Sequence, residues 1–276
     1  MTTEKILVIA KTYPTLSRRY DELVCTAGIR DDGTLVRLYP IPFRKMNYDK
    51  QYHKFQWIEV ELERNLDDFR PETFRIKNYN NIKVVGRIPP DRDGTWAERR
   101  NVLLRNVYFE RANLVADAYN PDIKRSLAIF KPHKIARFII RKAESREWDS
   151  ALLKEIEAKS HQIDLFLGAQ NPFKVVKKLP YEFSYEFADA AGAISTLQII
   201  DWEIGALYWN CLQHRKMDED AACADVQKMY WENFVQTKDV YLILGTTKEY
   251  HAKNAPNPFL IISVFAPCHE HQQRLL

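Results

Sequence analysis

The chain has 276 residues, 46% apolar and 28% charged, which is the composition of a soluble globular protein with room for one large domain or two ordinary ones. Its apolar runs, such as ILVIA and FLIISVFA, are strand-length and too short to span a bilayer, and MTTEKILVIAK has an acid where an export signal would be basic, so a cytoplasmic protein without a membrane partner is expected. The net charge of +4 divides unevenly: residues 1–150 carry 29 Lys+Arg against 21 Asp+Glu, and residues 151–276 carry 12 against 16.

KILVIAK opens the chain as a continuous aliphatic run and predicts a buried strand. ELVCTAGI and TLVRLYPI predict two more, joined by RDDG, with Gly33 supplying the positive φ of the turn. FQWIEVELER alternates Trp57, Glu59 and Glu61 against Ile58, Val60 and Leu62, the period of a half-buried strand. TFRIKNYNNIKVVGRIP adds one or two strands that end at Pro89-Pro90. GTWAERRNVLLRNVYFERANLVADAYN has helical spacing and predicts two helices, whereas SLAIFKPHKIARFIIRKA predicts strand broken at Pro132. WDSALLKEIEAKSHQIDLF predicts a helix capped by Asp149. YEFSYEFADAAGAISTLQII predicts a hairpin turning near Gly192. Two amphipathic helices follow in DWEIGALYWNCLQHRK and DEDAACADVQKMYWENFVQ, and DVYLILGTTKEYH with NPFLIISVFAP predicts a closing strand pair. Short strands interleaved with helices, without strict βαβ alternation, predict an α+β fold built on a curved mixed sheet or small β-barrel with flanking helices. The charge shift predicts a basic, strand-rich nucleic-acid-binding part at 1–150 and an α+β part at 151–276. Strands on both sides of residue 150 sharing one sheet is the alternative.

Chemistry is constrained by what the sequence lacks. It has no GxxxxGK[ST] phosphate loop, GxGxxG, HExxH or GxSxG, and with eight glycines a backbone cradle for nucleotide phosphates is not expected. No cofactor is therefore assigned. The cysteines Cys25, Cys211, Cys223 and Cys268 form no CxxC pair and are expected to be reduced. Cys211 with His214 and Cys268 with His271 make a four-ligand set on paper, but the spacing is not that of a zinc knuckle, and no metal is assigned.

Three stretches carry candidate sites. Asp21 and Glu22 stand at a strand mouth beside Arg18, Arg19 and Tyr20; a carboxylate there would hold a water or stabilise a sugar cation, with plain surface ion pairing as the alternative. In RLYPIPFRK, Arg37 and Tyr39 share a strand face, and Phe43, Arg44 and Lys45 follow two prolines. Interleaved rings and cations of this kind suit stacked bases and phosphates. The loop GTTKEYHAKNAPNPF presents Thr246, Thr247, His251, Asn254 and Asn257 at strand ends, with His251 a candidate proton donor or base-contacting group. Asp201 and Glu203 in DWE are explained as a helix cap and a first-turn acid.

The pattern KTYP…YDELVCTAGI…DG…RLYPIPFR with a terminal LGTT…H…NPFLIISVF resembles a set of bacterial sequences, and the chain as a whole also looks similar to the bacterial anti-phage DNA glycosylases that remove glucosylated hydroxymethylcytosine. A small basic barrel followed by helices is also similar to the PUA-like group, whose members include modified-base readers. The resemblance implies a DNA partner and a modified base in antiviral defence, and no residue is carried over from it. With the residues above it supports an expectation of base flipping and N-glycosidic hydrolysis, with Glu22 the first choice of carboxylate and Asp21 the second. The alternatives are a non-catalytic reader of modified DNA or RNA, and a protein-interaction module with a basic face.

Overall fold

The aliphatic run at the start forms β1 (Thr3–Lys11), a strand with both faces covered, in a computed structural model that describes residues 3–167 and 174–270, with backbone alone for 160–167. β2 (Thr15–Ser17), β3 (Asp21–Arg30), β4 (Leu35–Ile41), β5 (Gln56–Arg64), β6 (Thr73–Ile76) and β7 (Lys83–Arg87) complete the first sheet. Its pairing runs β1-β3-β4-β6-β5, and β5 returns to β1, so five strands close a barrel from which β2 and β7 extend. The β4–β6 pairing is parallel and the others in the ring are antiparallel, which makes the barrel mixed. Gly33 takes φ +87° in the β3–β4 turn, as RDDG predicts, and Asp32 accepts from the Thr34 N–H at 2.8 Å. Ile6, Val8, Val24, Val36, Ile58 and Val60 fill the barrel. Gly28 faces them, and a Cβ there would lie 2.2 Å from Ile6 Cγ2.

The second sheet follows α1 (Ala97–Leu103). Its strands and helices are β8 (Val107–Tyr108), α2 (Arg111–Tyr119), β9 (Leu127–Phe130), β10 (Lys134–Lys142), α3 (Ser150–Leu167), β11 (Tyr181–Ala188), β12 (Ile194–Ile199), α4 (Trp202–His214), α5 (Glu219–Gln227), a π-helical turn Lys228–Val235, β13 (Tyr241–Thr246), α6 (Lys248–Ala252) and β14 (Phe259–Phe265). The order is β10-β11-β12-β14-β13-β9-β8, with β12–β14 and β8–β9 parallel. Period two then explains the runs. Ala128, Phe130, Leu242 and Leu244 pack towards the helices, while Leu127, Ile129 and Ile243 pack on Leu7, Ile9, Ala27 and Ile29 of the barrel wall. Both faces of β9 and β13 are buried, so these strands read as continuously apolar.

The end of β1 ties the two sheets together. The Tyr13 N–H donates to the Ile200 carbonyl at 2.8 Å, and the Tyr13 ring lies against Gly205 of α4, where a Cβ would stand 2.1 Å from a ring carbon. The predicted α+β class with a small barrel and flanking helices is what the chain adopts. The boundary is another matter. β10 ends before residue 150 and pairs with β11 beyond it over eight matched positions, so strands on both sides share a sheet, and the two sheets divide between residues 87 and 107. The predicted single helix over 218–236 is α5 followed by the π-helical turn. Among the described residues no helix is long and apolar enough to cross a membrane.

Candidate functional site

A cavity of about 490 Å³ opens where β2, β3 and β4 of the barrel meet the end of β13 and the loop 65–72. Arg37 of β4 lies at its floor, 2% exposed. Its guanidinium donates to the Ser126 hydroxyl at 2.6 Å and the Ser126 carbonyl at 2.8 Å. Beside it, Arg70 Nη1 donates to the Thr246 carbonyl at 2.6 Å, and Arg70 clasps Asp68 through Nε at 2.9 Å and Nη2 at 2.5 Å. Burial and the Arg70 charge push the Arg37 guanidinium below its ordinary value. Burial also pushes the Asp68 carboxyl up, but hydrogen bonds and charge from Arg70 outweigh it and hold Asp68 below the usual carboxylate range. Asp68 is therefore ionised at neutral pH.

Tyr20 and Tyr39, both half-buried, line the cavity above this floor, and burial raises the Tyr39 phenol. Asn65 fixes the strand end by donating to the Tyr39 carbonyl at 3.1 Å. Cations stand around the opening. Arg19 is exposed and lies 5.2 Å from the Tyr20 ring centroid, Lys248 donates to the Asp67 carbonyl at 2.6 Å, and Arg75 pairs with the Asp67 carboxylate. The cavity thus combines flat apolar faces, paired donors and acceptors in its depth, and positive charge at its rim.

Of the sequence candidates, Arg37, Tyr39 and Arg19 come together here, along with Thr246 and Thr247. Glu22 does not line the cavity. It is 3% exposed, accepts from Arg44 Nη1 at 2.6 and 2.8 Å, and receives the Val176 N–H. Arg44 Nη2 donates onward to the Lys174 carbonyl at 3.1 Å, so this pair ties the barrel to the segment after α3. Asp21, at φ +62°, pairs with Lys45. The expected flanking of these acids by Arg18 and Arg19 is corrected: their cations come from the 43–45 turn, while Arg18 is exposed and 3.8 Å from Glu155. Phe43 is 4% exposed, with its ring edge-on to Tyr52 and Trp202 and under the Lys11 ammonium at 4.1 Å, so no base reaches it.

His251 is likewise buried, 3% exposed. Its Nε2 lies 2.7 Å from the Ala118 carbonyl, which only accepts, so Nε2 carries the hydrogen and Nδ1 faces the Thr246 hydroxyl at 3.2 Å. Burial pushes the ring below the ordinary imidazole value, although the Ala118 bond works the other way. It braces Thr246 from behind rather than meeting a ligand. Asn257 accepts from the Phe259 N–H at 3.2 Å and shapes the entry to β14, away from the cavity lining. The Arg-rich first half is partly internal too, since Arg37, Arg70, Arg99 and Arg100 are all buried. Cys268 accepts from Lys238 Nζ at 2.8 Å, and no group of three or more metal-ligating side chains stands together among the described residues. His271 lies outside the described residues.

Sequence reasoning missed Asn65, Asp68, Arg70 and Arg75. The signal available was the run RNLDDFRPE between two strands, where Asn65 opens a turn by accepting from the Asp67 N–H at 3.2 Å and two acids stand beside two arginines.

No curated protein matches the sequence. Among solved structures the chain is similar to a murine DNA-binding protein bound with double-stranded DNA, at 10% identity over 98% of this chain and 97% of that one, with a TM-score of 0.30, a likeness too slight to bear on fold or ligand. Residues 2–105 match the family described as domain of unknown function DUF8758. The second match begins at residue 111, just after the second sheet starts at β8, and it spans more than half of the chain: over residues 111–276 the chain belongs to the family described as domain of unknown function DUF8757.

Proposed function

We propose that the protein binds DNA by its phosphates and takes one extruded, modified base into the cavity. The observation that carries this reading is the convergence of two tyrosine rings, Tyr20 and Tyr39, with Asn65, Asp68 and Arg70 in the depth and Arg19, Arg75 and Lys248 at the rim. Rings offer stacking to any base, the polar groups offer edge hydrogen bonds, and rim cations meet backbone phosphates. The basic excess of residues 1–150 supports a polyanionic partner.

Hydrolysis of the N-glycosidic bond is the catalytic form of the proposal. Water adds to the anomeric carbon as the C–N bond breaks, and the base leaves with a proton. The step needs an ionised carboxylate near the sugar, and Asp68, ionised and lining the cavity, suits it better than Glu22 or His251, which do not line it. A second reading, a reader that binds without cleaving, is favoured by one observation: both carboxylates at the cavity, Asp67 and Asp68, are already paired with arginines. An acid so neutralised stabilises a sugar cation less.

The test is to incubate the protein with duplex and single-stranded DNA carrying unmodified and modified cytosines, measuring affinity and free base together. Tight binding that depends on the modification and weakens about tenfold or more in Tyr39→Ala, from loss of stacking, is expected. Free base lost in Asp68→Asn supports the catalytic form; binding without release supports the reader. Equal affinity for all DNAs, unaffected by Tyr39→Ala, overturns the proposal.

A further inference from the structure

A second cavity, of about 560 Å³, lies on the far side of the Glu72 wall, between the β3–β4 turn, the end of α1 and the segment entering β9. Its floor is apolar, formed by Leu35, Phe74, Leu103 and Ile123. The turn side is held in place by Arg105, which donates to the Asp31 carbonyl at 2.7 Å. Arg30 at the edge is already committed to Glu4 at 2.6 Å.

Arg125 differs. Its Nε–H is buried and donates to no protein acceptor among the described residues. Its Nη1 reaches Glu72 only at 3.8 Å, beyond hydrogen-bond distance. Glu72 meanwhile accepts from Ser126 through both its N–H at 3.1 Å and its hydroxyl at 2.8 Å. A guanidinium whose buried Nε–H is unfilled, and whose ion pair to Glu72 is long, matches the oxygen of an anionic head group such as a carboxylate.

We propose that this cavity binds a small organic carboxylate with an apolar body, the carboxylate on Arg125 and the body over Leu35, Phe74 and Leu103. The proposal is independent of what fills the cleft. An ammonium offers no acceptor to the Arg125 Nε–H, a neutral oxygen accepts from it without countering the guanidinium charge, and a bare inorganic anion leaves the apolar floor in water.

The experiment is isothermal titration of the intact protein with sodium hexanoate, sodium acetate and 1-hexanol. Hexanoate is expected to bind saturably at one site, with acetate and hexanol each about tenfold weaker or more, since one lacks the body and the other the charge. Arg125→Gln is expected to weaken hexanoate about tenfold or more. Asn106→Trp places bulk at the exposed rim and should block hexanoate while leaving the melting temperature unchanged. Hexanoate no tighter than hexanol or acetate, the absence of saturable heat, or both variants binding like the parent protein overturns the proposal.

Discussion

Glu22 accepts two hydrogen bonds from Arg44 and one from the Val176 N–H, and it does not line the cavity. Replacing it with glutamine keeps the shape but removes the carboxylate charge that faces Arg44. Because the Arg44 side chain is 32% exposed, water recovers part of the loss. Glu22→Gln is expected to cost about 1–3 kcal/mol of unfolding free energy in urea, with affinity for DNA unchanged. A loss below about 0.5 kcal/mol together with abolished DNA affinity or base release would restore Glu22 to the site. At this scale the sequence showed residue types but not partners. Acids beside arginines at positions 18–22 were visible; that Arg44 and Lys45 would claim them depended on the turn after β4 folding back over β3. Asp68 and Arg70 were hidden for the same reason, because their meaning depends on Thr246, which lies 176 positions beyond Arg70 in the chain.

Caps and turns were legible because they are local. Asp149 accepts from the Leu152 N–H at 2.8 Å and Asp201 from the Ile204 N–H at 2.7 Å, each three residues on, and Gly192 takes φ +83° in the β11–β12 hairpin. The π-helical turn after α5 had no such marker, since its extra residue per turn is set by packing of Tyr230 and Phe234 against the sheet. The cap of α4 has a further consequence. Asp201 is fully enclosed, and burial first, then the Glu203 charge, raise its carboxyl to about 7. A carboxyl raised on folding holds a proton that the unfolded chain releases near pH 4, so its contribution to stability is present at low pH and is lost as pH rises towards 7. Asp201→Asn retains the cap to Ile204 and removes the titration. The melting temperature of the parent protein is expected to fall relative to that of the variant between pH 4 and pH 7, with the variant the more stable at pH 8. Parallel melting profiles across that window would show that Asp201 titrates normally.

For the molecule as a whole, hydrophobic periodicity carried most of the architecture, since strands buried on both faces have to be continuously apolar and half-buried ones have to alternate. The closure of the ring through the β1–β5 pairing was not legible: it rests on register between residues about fifty positions apart, Ile6 opposite Ile58, which no local pattern encodes. Charge was legible in amount but not in place. Four of the first half's arginines are buried and Arg44 is turned to Glu22, whereas Arg19, Arg75 and Lys248 stand at the opening to meet phosphate. With about three phosphates neutralised, the affinity for duplex DNA should fall with salt at a log–log slope of about −3. Arg19→Gln with Lys248→Gln should flatten that slope by about 2 and weaken binding to every sequence alike, because phosphate contacts carry no base information. Tyr39→Ala should leave the slope unchanged while removing the preference for a modified base. Affinity independent of salt would place binding elsewhere than on these cations, and a slope steeper than about −6 would require a second basic surface beyond the cavity's rim.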